Sequence, residues 1–244
     1  MSQSLDRGLR ILDEIAAGRT TLTDMAESLG VHKSTVLRLL TTLQQHHFVH
    51  REDAHHYKLG RRLFDLASFA LESREVVAIA RPAMRRLRQT TGHSVYLATY
   101  EDGDAVVVEV APARRPLQLA LRVGEALPLH ATASGKVLAA ALPDDERDAL
   151  LAGAPFRAYT ERTLTDADAL SAELAEVARA GVAFERAEYE DYMNTVAAPV
   201  HDSTGAVVAA MAVTAPVVAL DEQGLSASSP RLLAACDEVS RELD

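Results

Sequence analysis

The segment from Thr21 to Gly60, TLTDMAESLGVHKSTVLRLLTTLQQHHFVHREDAHHYKLG, constrains the fold more than any other stretch, because it reads as two short helices followed at once by a small hairpin. Leu22, Met25, Ala26 and Leu29 recur at spacings of three and four, Thr23 is placed to cap the helix they define, and Gly30 supplies a tight exit. A second helix starts near His32. It gathers Val36, Leu39, Leu40 and Leu43 on one stripe and turns Ser34, Arg38, Thr41 and Gln45 the other way, with Lys33 and Thr35 flanking that face. Two such helices are also what an ordinary amphipathic surface would show. The continuation decides between the readings. Phe48-Val49-His50-Arg51 and His56-Tyr57-Lys58-Leu59 are short half-buried strands around Glu52-Asp53-Ala54-His55. A hairpin directly after the second helix makes a winged helix-turn-helix. His32, Lys33, Ser34, Thr35, Arg38 and Thr41 are then candidates to face DNA from the recognition helix, and Arg51, His55, His56 and Lys58 from the wing.

Charge limits how such a unit could work. The chain of 244 residues carries a net charge of −10, which argues against indiscriminate nucleic-acid binding. The charge is uneven: residues 1–74 hold ten Lys/Arg against nine Asp/Glu and six of the nine histidines, and the rest is strongly acidic. DNA contact is therefore confined to the first third. Phosphate attraction that weak calls for two copies of the reading head, on half-sites about 34 Å or a multiple apart.

Cys236 is the single cysteine, so an internal disulfide and a multi-cysteine zinc site are both excluded; it reads as a buried thiol on the last helix. Neither the candidate sites nor the spacing of His, Asp and Glu calls for a metal or a cofactor. The longest apolar run, Gly205 to Leu220, is broken by Thr214 and Pro216 and is shorter than a membrane helix requires. Met1 to Ser4 lacks the charged and apolar order of a signal peptide, and a cytoplasmic location is expected.

Leu5, Leu9, Leu12 and Ala16 define a first helix that ends at Gly18 and completes a three-helix core under the wing. Arg61 to Leu71 is helical and apolar around most of its circumference, so it is expected to pack against its counterpart in a second subunit. Burial against the chain's own C-terminal part is the alternative. Beyond it come a helix from Val76 to Thr91, bent or restarted at Pro82, and strands at Ser94–Tyr100 and Ala105–Val110. Leu117, Leu119, Leu121 and Val123 alternate as a third strand. Helices follow at about Ser134–Ala141, Asp144–Leu151 and Asp166–Ala180, then strands at Val182–Ala187, Thr195–His201 and Ala206–Thr214, and a terminal helix at Arg231–Leu243. The expected fold class is α+β, with an antiparallel-sheet domain behind the winged helix-turn-helix. The expected boundaries are 1–60 for DNA binding, 61–75 for the linker helix and 76–244 for the sheet domain.

Leu129-His130-Ala131-Thr132-Ala133-Ser134-Gly135-Lys136-Val137-Leu138 is the second informative site. Its Gly-Lys pair is not a phosphate loop, which would need Gly at the position of His130 and Ser or Thr at that of Val137. What remains is a small-residue turn opening a helix, with free N–H groups and the hydroxyls of Thr132 and Ser134. Such a helix start either caps itself or holds a carboxylate.

These residues resemble a family. Gly30-Val31-His32-Lys33-Ser34-Thr35-Val36-Leu37-Arg38-Leu39-Leu40, Tyr57-Lys58-Leu59-Gly60, Leu129 to Lys136, Thr160-Glu161-Arg162-Thr163-Leu164-Thr165 and Ala197-Ala198-Pro199-Val200 occur in the order seen in IclR-type bacterial transcription regulators. The resemblance implies a DNA-binding winged helix-turn-helix, a dimerising linker helix with dimers or tetramers as the assembly, and a GAF-like domain that binds a small organic or aromatic acid and thereby changes operator affinity. By motif it places Ala133, Ser134, Gly135, Glu185, Thr195, Ala212 and Thr214 at the effector site. Departures bear on this. His32 stands where the family often has Pro, and Ala54, His55 and His56 fill a usually Gly-rich wing turn. Tyr192, Met193 and Thr195 replace a Gly-Val-Cys or Gly-Val-Ser pattern, so Tyr192 and Met193 should narrow the pocket.

Two other functions compete. A hydrolase using Ser134 as nucleophile and Lys136 as base is disfavoured, because residues two apart on a helix diverge by about 200°. Glu188, Glu190 and Asp191 read as a solvated acidic edge and offer no acid pair. The other alternative keeps DNA binding and treats the C-terminal domain as a ligand-free dimerisation module.

Overall fold

The computed structural model describes residues 2–72, 75–113 and 121–243, and the chain divides into two compact units at Ser73 and Arg74. In the first unit α1 (Gln3–Ala16), α2 (Leu22–Leu29) and α3 (Lys33–Gln45) enclose a core of Ile11, Ile15, Met25, Leu29, Val36 and Leu40. Strands β1 (Val49–Arg51) and β2 (Tyr57–Leu59) pair antiparallel and close that core with Val49 and Tyr57. The helix-turn-helix and wing are therefore as the spacing predicted. Two local details differ. Thr21, not Thr23, caps α2, its hydroxyl accepting from the Asp24 N–H at 3.2 Å. In α1 the inward stripe is Ile11 and Ile15, while Leu5 and Leu9 are 64% and 55% exposed. Both stripes satisfy the helical period; only packing against α2 and α3 chooses between them. Helix α4 (Arg61–Glu72) follows.

The second unit is built on a six-stranded antiparallel sheet in the order β5-β4-β3-β8-β7-β6. Its strands are β3 (Ser94–Glu101), β4 (Asp104–Ala111), β5 (Ala126–Pro128), β6 (Ala183–Arg186), β7 (Met193–His201) and β8 (Val207–Pro216). Alternation along each strand sends one set of side chains to each face. Tyr96, Ala98, Val107, Ala197 and Ala212 form a core with α6 (Ala133–Ala140) and α8 (Ala167–Ala180), beside which lies α7 (Asp144–Leu151). Helices α5 (Glu75–Thr91) and α9 (Glu222–Glu242) pack on the sheet as well, and Cys236 of α9 is a buried thiol against the Ala198 carbonyl.

This α+β architecture matches the expected fold class, with differences of detail in its elements. Leu117 and Leu119 lie outside the described residues, and Leu121 and Val123 stand in irregular chain; the strand beside β4 is Ala126–Pro128. Three residues ending in proline leave no alternation to read. Helix α5 runs through Pro82 as one element, and α9 begins at Glu222 with Asp221 as its N-cap and contains Pro230. A helical proline removes one hydrogen bond at about 3 kcal/mol. Val77, Ala80, Met84 and Leu87 on α5, and Leu225, Leu232 and Val239 on α9, bury enough apolar surface to outweigh it.

Candidate DNA-reading surface and effector cavity

Helix α3 opens on His32, whose Nδ1 accepts the Ser34 N–H at 3.3 Å and lies 2.8 Å from the Ser34 hydroxyl. The residue standing where a proline was expected thus makes a side-chain cap. Lys33 Nζ donates to Thr23 Oγ1 of α2 at 2.8 Å, Thr35 is half-buried, and the Thr41 hydroxyl donates back to the Leu37 carbonyl at 2.8 Å. Arg38 is exposed, and its guanidinium makes no hydrogen bond or ion pair among the described residues. It is the cationic group on this face held ready for an external acceptor.

The wing is tied to itself. Asp53 accepts the N–H groups of His55 and His56 at 2.7 and 2.9 Å and the His56 imidazole at 2.9 Å, which together pull its carboxyl down to about 2. Arg51 donates to the carbonyls of Asp53 and Ala54, and Lys58 pairs with Glu52. An Asp-centred turn does here what glycines do in a Gly-rich wing. Of the four wing candidates, His55 alone presents a ring outside this network; a phosphate would have to draw Arg51, His56 or Lys58 out of its bond.

In the second unit Thr132 caps α6 by accepting the Gly135 N–H at 3.1 Å. Gly135 is required by close approach, since a Cβ there would lie 2.6 Å from the Leu129 Cα and the Pro128 oxygen. Beside this helix start is a cavity of about 50 Å³. Glu185 of β6, Thr195 of β7, Thr214 of β8 and Tyr96 of β3 line it, and Met193, Tyr189, Glu190 and Glu125 close it. The register that pairs Thr195 with both Glu185 and Thr214 puts these side chains on one wall; the two threonine hydroxyls are 3.0 Å apart. Glu185 is 4% exposed. Burial, reinforced by Glu188, pushes its carboxyl up to about 8 against the pull of hydrogen bonds from Thr195 and from the N–H groups of Tyr189 and Ala133. The anion-favouring helix start is therefore already met by a carboxyl group of the chain itself.

Glu185, Thr195 and Thr214 thus come together on one wall, whereas Ala133, Ser134, Gly135 and Ala212 do not line the cavity. Ser134 faces the Tyr96 hydroxyl at 3.1 Å, and Ala212 belongs to the apolar core. Met193 narrows the cavity as expected; Tyr192 instead points outward. Glu188 corrects the reading of a solvated acidic edge. It is buried and holds Lys136, itself 1% exposed, at 2.7 and 2.9 Å. The remaining ammonium donors reach the Phe184 carbonyl at 3.0 Å and Glu173 at 3.2 Å. Lys136 is pinned away from Ser134, which removes the nucleophile-and-base arrangement. Thr160 and Thr163 clamp the same turn through the carbonyls of Ala187 and Glu188 at 2.8 and 2.6 Å. Sequence reasoning missed Tyr96, Glu125 and Tyr189. Tyr96 alone carried a signal, as a polar-tipped aromatic at an inward strand position.

A winged helix-turn-helix with an arginine exposed on its recognition helix, followed by a sheet domain with a polar internal cavity, defines a DNA-binding transcription regulator. Residues 4–53 match the IclR helix-turn-helix domain and residues 68–241 the bacterial transcriptional regulator IclR C-terminal domain. The chain belongs to the IclR family. It is 30% identical to the acetate operon repressor of Salmonella typhimurium strain LT2 over 98% of this chain and 89% of that protein. A solved transcriptional regulator from Rhodococcus sp. RHA1 superposes with a TM-score of 0.87 at 29% identity, covering 100% of this chain and 98% of that one. An IclR homolog from Microbacterium hydrocarbonoxydans, solved in complex with 4-hydroxybenzoate, gives 0.85 at 25% identity, covering 99% of each chain.

Proposed function

We propose that this regulator's affinity for operator DNA is set by a small organic or aromatic acid bound in the cavity beside α6. The observation that carries the reading is Glu185: a buried carboxyl pushed up to about 8 is largely in its acid form at neutral pH. It then donates a hydrogen bond to an incoming carboxylate where an ionised neighbour would repel it. The hydroxyls of Tyr96, Thr195 and Thr214 lie on the same wall, bonded to Ser134, to each other and to the Asn194 carbonyl, and can re-aim toward a ligand. The complex of the Microbacterium hydrocarbonoxydans homolog with 4-hydroxybenzoate supports an acid as the ligand class. At about 50 Å³ the cavity is closed down, and a ligand of that size needs the turn bearing Tyr189 and Glu190 to move outward.

DNA reading is assigned to α3 and the wing, with Arg38 addressing a base and the remaining candidate residues positioning the helix against phosphates. A second copy of the chain completes the reader. Phe64 and Phe69 on α4 are 71% and 74% exposed, which suits an apolar contact with the same helix of a partner subunit. No described helix is long and apolar enough to cross a membrane, in keeping with a cytoplasmic site of action.

The test is a thermal-shift panel of small carboxylates, 4-hydroxybenzoate included, followed by gel shifts on the DNA upstream of the gene. A ligand at 100 times its Kd should add about 2.7 kcal/mol of stability and alter operator affinity. Intact DNA binding with no carboxylate stabilising the protein would instead favour a ligand-free dimerisation module.

A further inference from the structure

The reading face of α3 carries one large side chain that the fold leaves unused. Leu37 is 48% exposed, although Val36 and Leu40 on the same helix are fully buried. It follows Lys33 by four residues and precedes Thr41 by four, so the three lie in one row along the helix. Lys33 Nζ gives one of its three N–H groups to Thr23, and the Thr41 hydroxyl donates to the Leu37 carbonyl. Between these two polar ends the row offers one apolar group outward, the Leu37 isobutyl group. In the neighbouring row, Ser34 and Arg38, the guanidinium has no partner among the described residues. The face therefore carries an apolar spot beside a hydrogen-bonding edge.

The major groove offers a partner for each half. Guanine presents two acceptors suited to an arginine, and thymine is the base with an apolar group on that edge, its C5-methyl. Neighbouring Cα atoms are about 3.8 Å apart, close to the roughly 3.4 Å rise between bases. Resting on the reading of α3 as the recognition helix, we propose that Leu37 is a specificity-determining residue that seats against a thymine methyl, within one or two base steps of the guanine addressed by Arg38.

Operators selected from a randomised duplex library by the full-length protein provide the test, with each thymine of the selected site replaced in turn by deoxyuridine, which lacks only the methyl group. At one thymine position the replacement should weaken wild-type binding about fourfold per half-site, the worth of one buried methyl. Leu37→Ala, its fold checked by circular dichroism, should bind the thymine and deoxyuridine duplexes alike, while Leu37→Met keeps the discrimination. Indifference of the wild type at every thymine, or a loss that persists unchanged in Leu37→Ala, overturns the proposal. If Arg38→Ala still loses specific binding in that case, α3 remains the reader and only the role of Leu37 falls. If Arg38→Ala loses nothing either, the reading beneath the proposal falls with it.

Discussion

Replacing Glu185 with glutamine isolates the energetic consequence of putting a carboxyl group in the effector cavity. The side chain keeps its shape and its acceptor for the N–H groups of Ala133 and Tyr189, but it can no longer ionise. In the folded protein the carboxyl titrates at about 8, against 4.5 unperturbed. Below the lower value both folded and unfolded states are protonated, and Glu185 contributes nothing to pH dependence. Between the two the unfolded chain releases a proton that the folded protein retains, so wild-type stability falls as pH rises, at about 1.4 kcal/mol per pH unit. Above 8 both states are ionised and the penalty stays constant, at about 5 kcal/mol. Glu185→Gln should therefore be indistinguishable from wild type in this respect near pH 4. Its relative stability should climb by about 3 kcal/mol by pH 7 and level off beyond pH 8. Urea melts of the two full-length proteins from pH 5 to pH 9, followed by far-UV circular dichroism, read this out, because titrations not coupled to Glu185 cancel in the difference. A difference that stays flat with pH refutes the reasoning. A wild type that gains on the variant as pH rises would mean that Glu185 is ionised and paired in the folded state.

Other substitutions test the remaining parts. Lys136→Met strands Glu188 without its counter-ion in the interior and should cost about 3 to 5 kcal/mol, whereas the double variant Lys136→Met/Glu188→Leu should recover most of that in thermal melts. A loss under about 1 kcal/mol for the single change would contradict the buried pair. Arg38→Ala should weaken binding to specific DNA by about 1 to 3 kcal/mol and leave random DNA nearly untouched, as measured by competition gel shifts; an equal loss on both would make Arg38 a phosphate contact. Gly60→Ala introduces a Cβ 2.1 Å from the His47 carbonyl oxygen at the base of the wing. Overpacking of this kind costs about 1 to 3 kcal/mol. Binding of operator should fall with it, and a variant as stable as wild type would show that the wing backbone gives way freely.

Much of the DNA-reading unit was legible in the chain because its signals are local. The periodicity of α2 and α3, Gly30 between them and the two strands after His47 all act within a few residues of one another. The misjudged details were decided at longer range. The Leu5 and Leu9 stripe looked as apolar as Ile11 and Ile15, and packing against α2 and α3 turned it outward. Glu188 sits among Glu190, Asp191 and Tyr192 and so read as surface, until Lys136, fifty-two positions earlier, met it in the interior. The terminal helix was expected only from Arg231, because the burial of Leu225 and Ser228 that carries α9 back to Glu222 cannot be seen from neighbouring residues.

The sequence by itself determined what kind of molecule this is: a winged helix-turn-helix, a near-neutral head on an acidic body, and a small-residue helix start in the second unit. Those features depend on helix and strand periods, turn chemistry and net charge, which are properties of short segments. Only the tertiary structure decided how the sites are wired. It gathered Tyr96, Glu185, Thr195 and Thr214 from four different strands into one cavity, leashed Lys33 and the Thr41 hydroxyl so that Leu37 stands out beside an exposed Arg38, and gave Glu185 its high pKa. The physical reason is the same in each case. Register and burial set the distances between residues far apart in the chain, and those distances decide which polar groups are satisfied, which are neutral and which remain to be met by a partner.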